Sequence, residues 1–129
     1  MSVKEAEKII KKLNPIVLDV RSSQEFEYSH LFNAINIPLK ELEGRILELE
    51  TEKVNAILVY CKTGINSQLA SSLLFSYGFT KIYNMLGGIQ AWIEANNIIS
   101  TSHHYINAIK PYEVTPLIGG SNCVSTSIN

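Results

Sequence analysis

Two cysteines, Cys61 and Cys123, are too few in 129 residues for a disulfide framework, and they suit a chain whose thiols stay reduced. The sequence also lacks any basic run interleaved with aromatics, and its formal net charge is -1. Without a concentrated positive patch to neutralise phosphates, the composition argues against a nucleic-acid partner. No uninterrupted apolar segment approaches the roughly 18 residues of a membrane span, so no membrane association is expected. The opening "MSVKEAEKIIKKL" is charged from Lys4 onward and has no apolar core of signal-peptide length. These absences point to a soluble, cytoplasmic protein. Internal repeats are absent as well.

What the chain does have is a hydrophobic content of 46%, enough for one domain with its own core. Val3, Ala6, Ile10 and Leu13 recur at helical spacing, and Asn14-Pro15 stops that helix. "IVLDV" (Ile16 to Val20) and "AILVY" (Ala56 to Tyr60) do not alternate with polar residues and read as strands buried on both faces. Ser22 with Glu25 three residues later suggests a capping box for a short helix. "AINIP" (Ala34 to Pro38) reads as a brief extended piece, and Leu39, Leu42, Ile46 and Leu49 as one amphipathic helix. Leu69, Ala70, Leu73, Leu74 and Tyr77 form one face of a further helix, which Gly78 ends. "KIYNM" (Lys81 to Met85) is a third strand, and "GGIQAWIEANN" a closing helix with Ile89, Trp92 and Ile93 on its apolar side. Strands alternating with helices imply an α/β fold, with a mostly parallel central sheet flanked by helices on both faces. Residues 1–97 form the expected domain. Residues 98–129, rich in Ser, Thr, Asn and Gly, form a C-terminal extension with one strand expected around Tyr112 to Ile118.

The segment "CKTGINS" (Cys61 to Ser67) falls between a buried strand and a helix, at the sheet end where α/β proteins bind ligands. Gly64 permits positive φ, so successive N–H groups can turn inward as an anion-binding nest. Asn66 or Ser67 is the expected N-cap, which aims the positive end of the helix dipole at the loop. That arrangement, with Lys62 as a nearby cation, favours a thiolate at Cys61. The competing reading is a small cysteine packed at a strand end. Spacing alone leaves both open.

Residues 16–97 resemble a rhodanese domain. The likeness is carried by "LDVRSSQEF", "SHLFNAINIP", "VYCKTGINSQLASSLL" and "GGIQAW", in the family's order and at roughly its separations. The resemblance implies a sulfurtransferase that moves sulfane sulfur through a Cys61 persulfide. Its donor would be a small anion such as thiosulfate, or a protein persulfide, and its acceptor a thiophile. It implies Cys61 as the nucleophile, with the amides of Lys62, Thr63, Gly64, Ile65, Asn66 and Ser67 holding the donor anion. It makes Asp19 and Arg21 supports, the first turned toward the catalytic loop and the second toward Glu25 or a neighbouring carboxylate. It also implies a five-stranded parallel sheet. No cofactor or metal is called for, because nucleophilic sulfur transfer needs a thiolate and stabilised negative charge.

Two departures bear on activity. Related phosphatases and arsenate reductases are similar but carry a loop one residue longer that ends in arginine. Here Cys61 to Asn66 is the shorter form, and Ser67 stands where that arginine would be. Phosphoryl transfer would lack its bidentate clamp. Many active rhodaneses have arginine at the positions of Lys62 and Asn66, so the alternative is a catalytically silent rhodanese-like module that binds partners. Asn33 stands where the family usually has glycine, a change expected to alter only the local turn.

The remaining residues are read as structural. His30 is expected to bond neighbouring backbone, and Asp19 with Arg21 otherwise to form an exposed ion pair. Trp92 is expected in the core. His103 and His104 make no metal-ligand spacing with either cysteine. Cys123 is expected to be incidental, though it is the one other thiol able to resolve a Cys61 persulfide.

Overall fold

The computed structural model describes residues 1–101, without the side chains of 51 and 52. The strand expected around Tyr112 to Ile118, together with His103, His104 and Cys123, lies outside the described residues. Contacts divide the chain into two compact units, one of Met1–Ser23 with Leu31–Ile98 and another that includes Gln24–His30.

The larger unit begins with helix α1 (Val3–Leu13). Ser2 Oγ accepts the Glu5 N–H at 3.2 Å, and the Glu5 carboxylate accepts the Ser2 N–H at 2.8 Å. This capping box satisfies two donors that the first turn would otherwise leave unpaired. Asn14 takes the left-handed conformation (φ 47°) and ends the helix before Pro15. Strand β1 (Ile16–Asp19) follows. Then come helix α2 (Ser23–Tyr28), strand β2 (His30–Leu31) and strand β3 (Ile35–Asn36). Asn33, between β2 and β3, has φ 64°, the region glycine enters freely and asparagine tolerates.

Helix α3 (Leu39–Leu42) passes into a 3-10 helix over Glu43–Glu52, not into the single α-helix that the apolar spacing suggests. Leu42, Ile46 and Leu49 are buried as that spacing requires. The backbone breaks at Arg45 (φ -116°, ψ 15°), whose side chain bonds Glu41 and Glu48 at 2.9 and 2.8 Å. Strand β4 (Ala56–Tyr60), helix α4 (Ile65–Ser76), strand β5 (Lys81–Asn84), helix α5 (Gly88–Glu94) and strand β6 (Ile99–Ser100) complete the order.

The central sheet is wholly parallel, in the order β3-β1-β4-β5. It has four strands among the described residues, one fewer than the family resemblance implied, because β2 pairs outside it. All five residues of β4 are buried, as expected for a strand covered on both faces. On one face Leu18, Val20, Ile57, Val59 and Cys61 join Leu42, Ala70, Leu74 and Phe79 in the core cluster. Alternation sends Asp19, Leu58 and Tyr60 to the other face.

Helix α4 buries Ala70 and Leu74 of the expected face, packs Leu73 partly against the core, and adds Ser67 to the inward stripe. Leu69 is 58% exposed, and Tyr77 places its hydroxyl 2.7 Å from a Glu43 carboxylate oxygen. Trp92 is buried, and its indole N–H donates to the Ile98 carbonyl at 3.0 Å. Ile93, expected beside it, is 45% exposed.

Candidate active site

Parallel pairing of β4 with β1 and β5 brings Tyr60 alongside Asp19 and Val59 alongside Asn84. Cys61 therefore emerges at the carboxyl end of the central strand. Its side chain is 3% exposed. Gly64 turns the chain with φ 106° and serves as the N-cap of α4.

The cap differs from the expected Asn66 or Ser67, and the reason is the sulfur. Gly64 offers no side-chain oxygen, and the Cys61 Sγ takes the acceptor's place. It receives the Gly64 N–H at 3.0 Å and the Ser67 N–H at 3.3 Å. An N-cap side chain ordinarily accepts the N–H at the third helical position, which here is Ser67. With the sulfur in that role, the helix can start two residues before the start an Asn66 cap implies and three before that of a Ser67 cap. Two aimed N–H groups and the positive end of a 12-residue helix face the sulfur and favour negative charge there.

Of the residues proposed from sequence, the structure brings Cys61, Gly64 and Ser67 into hydrogen-bonding contact. Lys62, Thr63, Ile65 and Asn66 belong to the same loop and helix start, with exposed side chains. Asp19 and Arg21 do not join them. Asp19 is fully buried and Arg21 8% exposed at its side chain, so the exposed ion pair is corrected to a buried one. Arg21 Nη2 lies 2.7 Å from Asp19 Oδ2, Nε is 3.1 Å from both carboxylate oxygens, and the Arg21 N–H adds a bond at 2.8 Å. The guanidinium lies over the Tyr60 ring, 5.7 Å from its centroid. Asp19 thus turns to Arg21, not into the 61–67 loop, because alternation along β1 points it to the face opposite Cys61.

Tyr60 closes this second cluster. Its hydroxyl accepts the Leu31 N–H at 3.0 Å, and burial, followed by the Asp19 charge, pushes its ionisation well above the ordinary tyrosine range. Asp19→Ala is expected to cost about 3 kcal/mol of stability, because it removes the buried carboxylate that accepts from both the Arg21 guanidinium and the Arg21 N–H. Urea unfolding of the variant and the wild type checks this.

Sequence reading missed three residues that frame the loop. Asn84, at the end of β5, has Oδ1 2.5 Å from Ser67 Oγ and Nδ2 3.5 Å from the Gly64 carbonyl. A polar residue ending a strand carries no spacing signal that marks it. Gly87 and Gly88, which open the closing helix and the "GGIQAW" motif, both have positive φ (78° and 59°). They let α5 approach so closely that the Ile89 N–H bonds the Cys61 carbonyl at 2.9 Å. The Gln90 N–H bonds the Lys62 carbonyl at 3.2 Å. The doubled glycine was the available signal.

In the smaller unit, His30 stacks on Phe26 with ring centroids 3.9 Å apart, and its Nδ1 lies 2.7 Å from the Phe26 carbonyl. It bonds neighbouring backbone, as expected. Among the described residues no three His, Cys, Asp or Glu side chains group as a metal site, and no helix is long and apolar enough to cross a membrane.

Residues 2–95 match the rhodanese-like domain family. The chain is similar to the thiosulfate sulfurtransferase GlpE of Coxiella burnetii, 33% identical over 88 residues that cover 68% of this chain and 80% of that one. It is 39% identical over 90 residues to an adenylyltransferase and sulfurtransferase of Candida glabrata, covering 63% of this chain and 21% of that protein. Among solved structures, a rhodanese-related protein from Thermoplasma volcanium superposes with a TM-score of 0.70. That protein is 32% identical, and the match covers 78% of this chain and 95% of the other.

Proposed function

Since the chain belongs to the rhodanese-like domain family, we propose that it is a sulfurtransferase working through a persulfide on Cys61. The observation that carries this reading is the pair of N–H groups, from Gly64 and Ser67, converging on one sulfur at 3.0 and 3.3 Å. In the first half-reaction the Cys61 thiolate attacks the outer sulfur of a donor such as thiosulfate. The donor S–S bond breaks, sulfite leaves with the electron pair, and Cys61 carries a terminal persulfide anion. In the second, a thiophilic acceptor attacks that outer sulfur and the Cys61 thiolate leaves. The donor is a small anion or a protein persulfide. Bonds and electrons balance within the two steps, so no cofactor enters.

The loop supplies what each step needs. Amides from Lys62 to Ser67 stabilise the charge that passes between donor, persulfide and leaving group. Lys62 offers an exposed cation to an incoming anion. Asp19 and Arg21 support from behind, by fixing Tyr60 and with it the strand end that presents Cys61. The catalytic unit spans residues 1–97, with 98–129 as an extension, and its setting is cytoplasmic.

A second reading, a silent module that binds partners, is favoured by the neutral, exposed Asn66 and by Ile65, 71% exposed beside the loop. Steady-state transfer from thiosulfate to cyanide separates the two. A covalent intermediate gives ping-pong kinetics with parallel double-reciprocal lines. Intersecting lines, or no turnover with thiosulfate or any small persulfide donor, would count against the enzyme.

A further inference from the structure

We infer that Asn84 sets the polarity of the contact between Ser67 and Cys61 and so opposes ionisation of the resting sulfur. This rests on the reading of Cys61 as the nucleophile. Asn84 touches neither the sulfur nor a donor, so it acts as a positioning residue.

The direction of these hydrogen bonds is set by a group that can only accept. The Gly64 carbonyl faces Asn84 Nδ2 at 3.5 Å, which leaves Oδ1 for Ser67. Oδ1 is also acceptor-only, and Ser67 Oγ lies 2.5 Å from it, so the hydroxyl proton lies in that bond. A hydroxyl has one proton. What Ser67 Oγ presents to the Cys61 Sγ, 3.4 Å away, is therefore a lone pair. The contact is satisfied when the sulfur carries a proton and donates it, giving one directed chain from Cys61 through Ser67 and Asn84 to Gly64.

Ionisation breaks that chain. A thiolate would face the Ser67 lone pair, and Ser67 could turn its proton to the sulfur only by releasing Asn84. Two influences thus oppose one another on the same atom. The Gly64 and Ser67 N–H groups favour the thiolate, while the Ser67 hydroxyl, as Asn84 orients it, favours the thiol. The apolar core cluster that includes Cys61 also holds Leu18 of β1, Val20 just after that strand, Val59 of β4 and Ala70 of α4. Of the charged groups, the Met1 ammonium donates to the Asn84 backbone carbonyl at 2.9 Å, Lys62 along the chain is exposed, and Asp19 and Arg21 pair on the opposite face of the sheet. Asn84 is then the group whose removal tips the balance.

The test is the ultraviolet thiolate absorbance of Cys61 as a function of pH, with the Cys61→Ser protein as the blank for Cys123. In Asn84→Ala the Ser67 hydroxyl is free to donate to the sulfur. The titration midpoint should move to lower pH, and where the thiol predominates the thiolate fraction should rise about two- to twelvefold, the worth of one hydrogen bond. Asn84→Asp keeps the acceptor for Ser67, adds negative charge and is isosteric, so its midpoint should move to higher pH. In a Ser67→Ala background the Asn84→Ala shift should disappear. A midpoint that rises or stays put in Asn84→Ala, or a shift that survives in Ser67→Ala, overturns the inference. Because no sulfur donor is present, a protein that transfers no sulfur still reports on Asn84.

Discussion

Cys61→Ser is expected to lower thiosulfate-to-cyanide transfer by about a thousandfold or more while leaving the protein folded. Serine is nearly isosteric, and its Oγ can accept the same Gly64 and Ser67 N–H groups that now reach the sulfur at 3.0 and 3.3 Å. The helix start therefore keeps its capping acceptor, and the loss in stability should stay within about 1–2 kcal/mol. Chemistry is what fails. An alcohol at neutral pH is a weak nucleophile without an adjacent base, and among the described residues no histidine or carboxylate bonds Cys61 or Ser67. Steady-state rates and a urea melt on one preparation separate the two effects. A silent binding module would instead lose nothing, because wild type and variant would be alike in every assay.

Gly88→Ala should damage stability and sulfur transfer together. A Cβ at Gly88 would sit 2.3 Å from the Cys61 carbonyl oxygen and 2.5 Å from both the Lys62 carbonyl carbon and its oxygen. These are backbone atoms of the loop itself, so no side chain can swing aside to relieve the clash. The φ of 59° adds the cost of holding an L-residue in the left-handed region. Either α5 withdraws, surrendering the Ile89 and Gln90 bonds to the loop carbonyls, or the loop moves and the sulfur loses its aligned donors. We expect a loss of at least about 3 kcal/mol in urea unfolding. Sulfur transfer should fall even where the variant is still folded. Gly44→Ala is the matched control. Its Cβ meets nothing within 4 Å, and the substitution should be neutral or stabilising by up to about 1 kcal/mol.

Where the sequence was legible, one physical pattern dominated. The unbroken apolar run of β4 marks a strand buried on both faces, and the glycine after it marks a turn, so the place of Cys61 follows directly. What escaped depended on phase and direction. The spacing of Leu39, Leu42, Ile46 and Leu49 fits α and 3-10 geometry about equally, and nothing in it signals the break at Arg45. On α4 the inward stripe of Ser67, Ala70 and Leu74 is set by the tether of Ser67 to the sulfur. That tether turns Leu69 outward although its hydrophobicity argues for burial. For Asp19 and Arg21 the sequence suggests a supporting role, with an exposed ion pair as the alternative, but shows neither their burial nor the face they take. Their burial follows from the strand face shared with Tyr60, which only the register with β4 reveals. Asn84 was invisible because its importance lies in contacts across the sheet edge to Ser67 and Gly64.

Peptide-resolved mass analysis after brief exposure to thiosulfate tests the central claim most directly. The peptide holding Cys61 should gain the mass of one sulfur atom and lose it when cyanide is added, with thiocyanate appearing in equal amount. The Cys123 peptide should stay unchanged. Thiocyanate formation with the Cys61 peptide unmodified, or sulfur accumulating on Cys123 instead, would contradict the account.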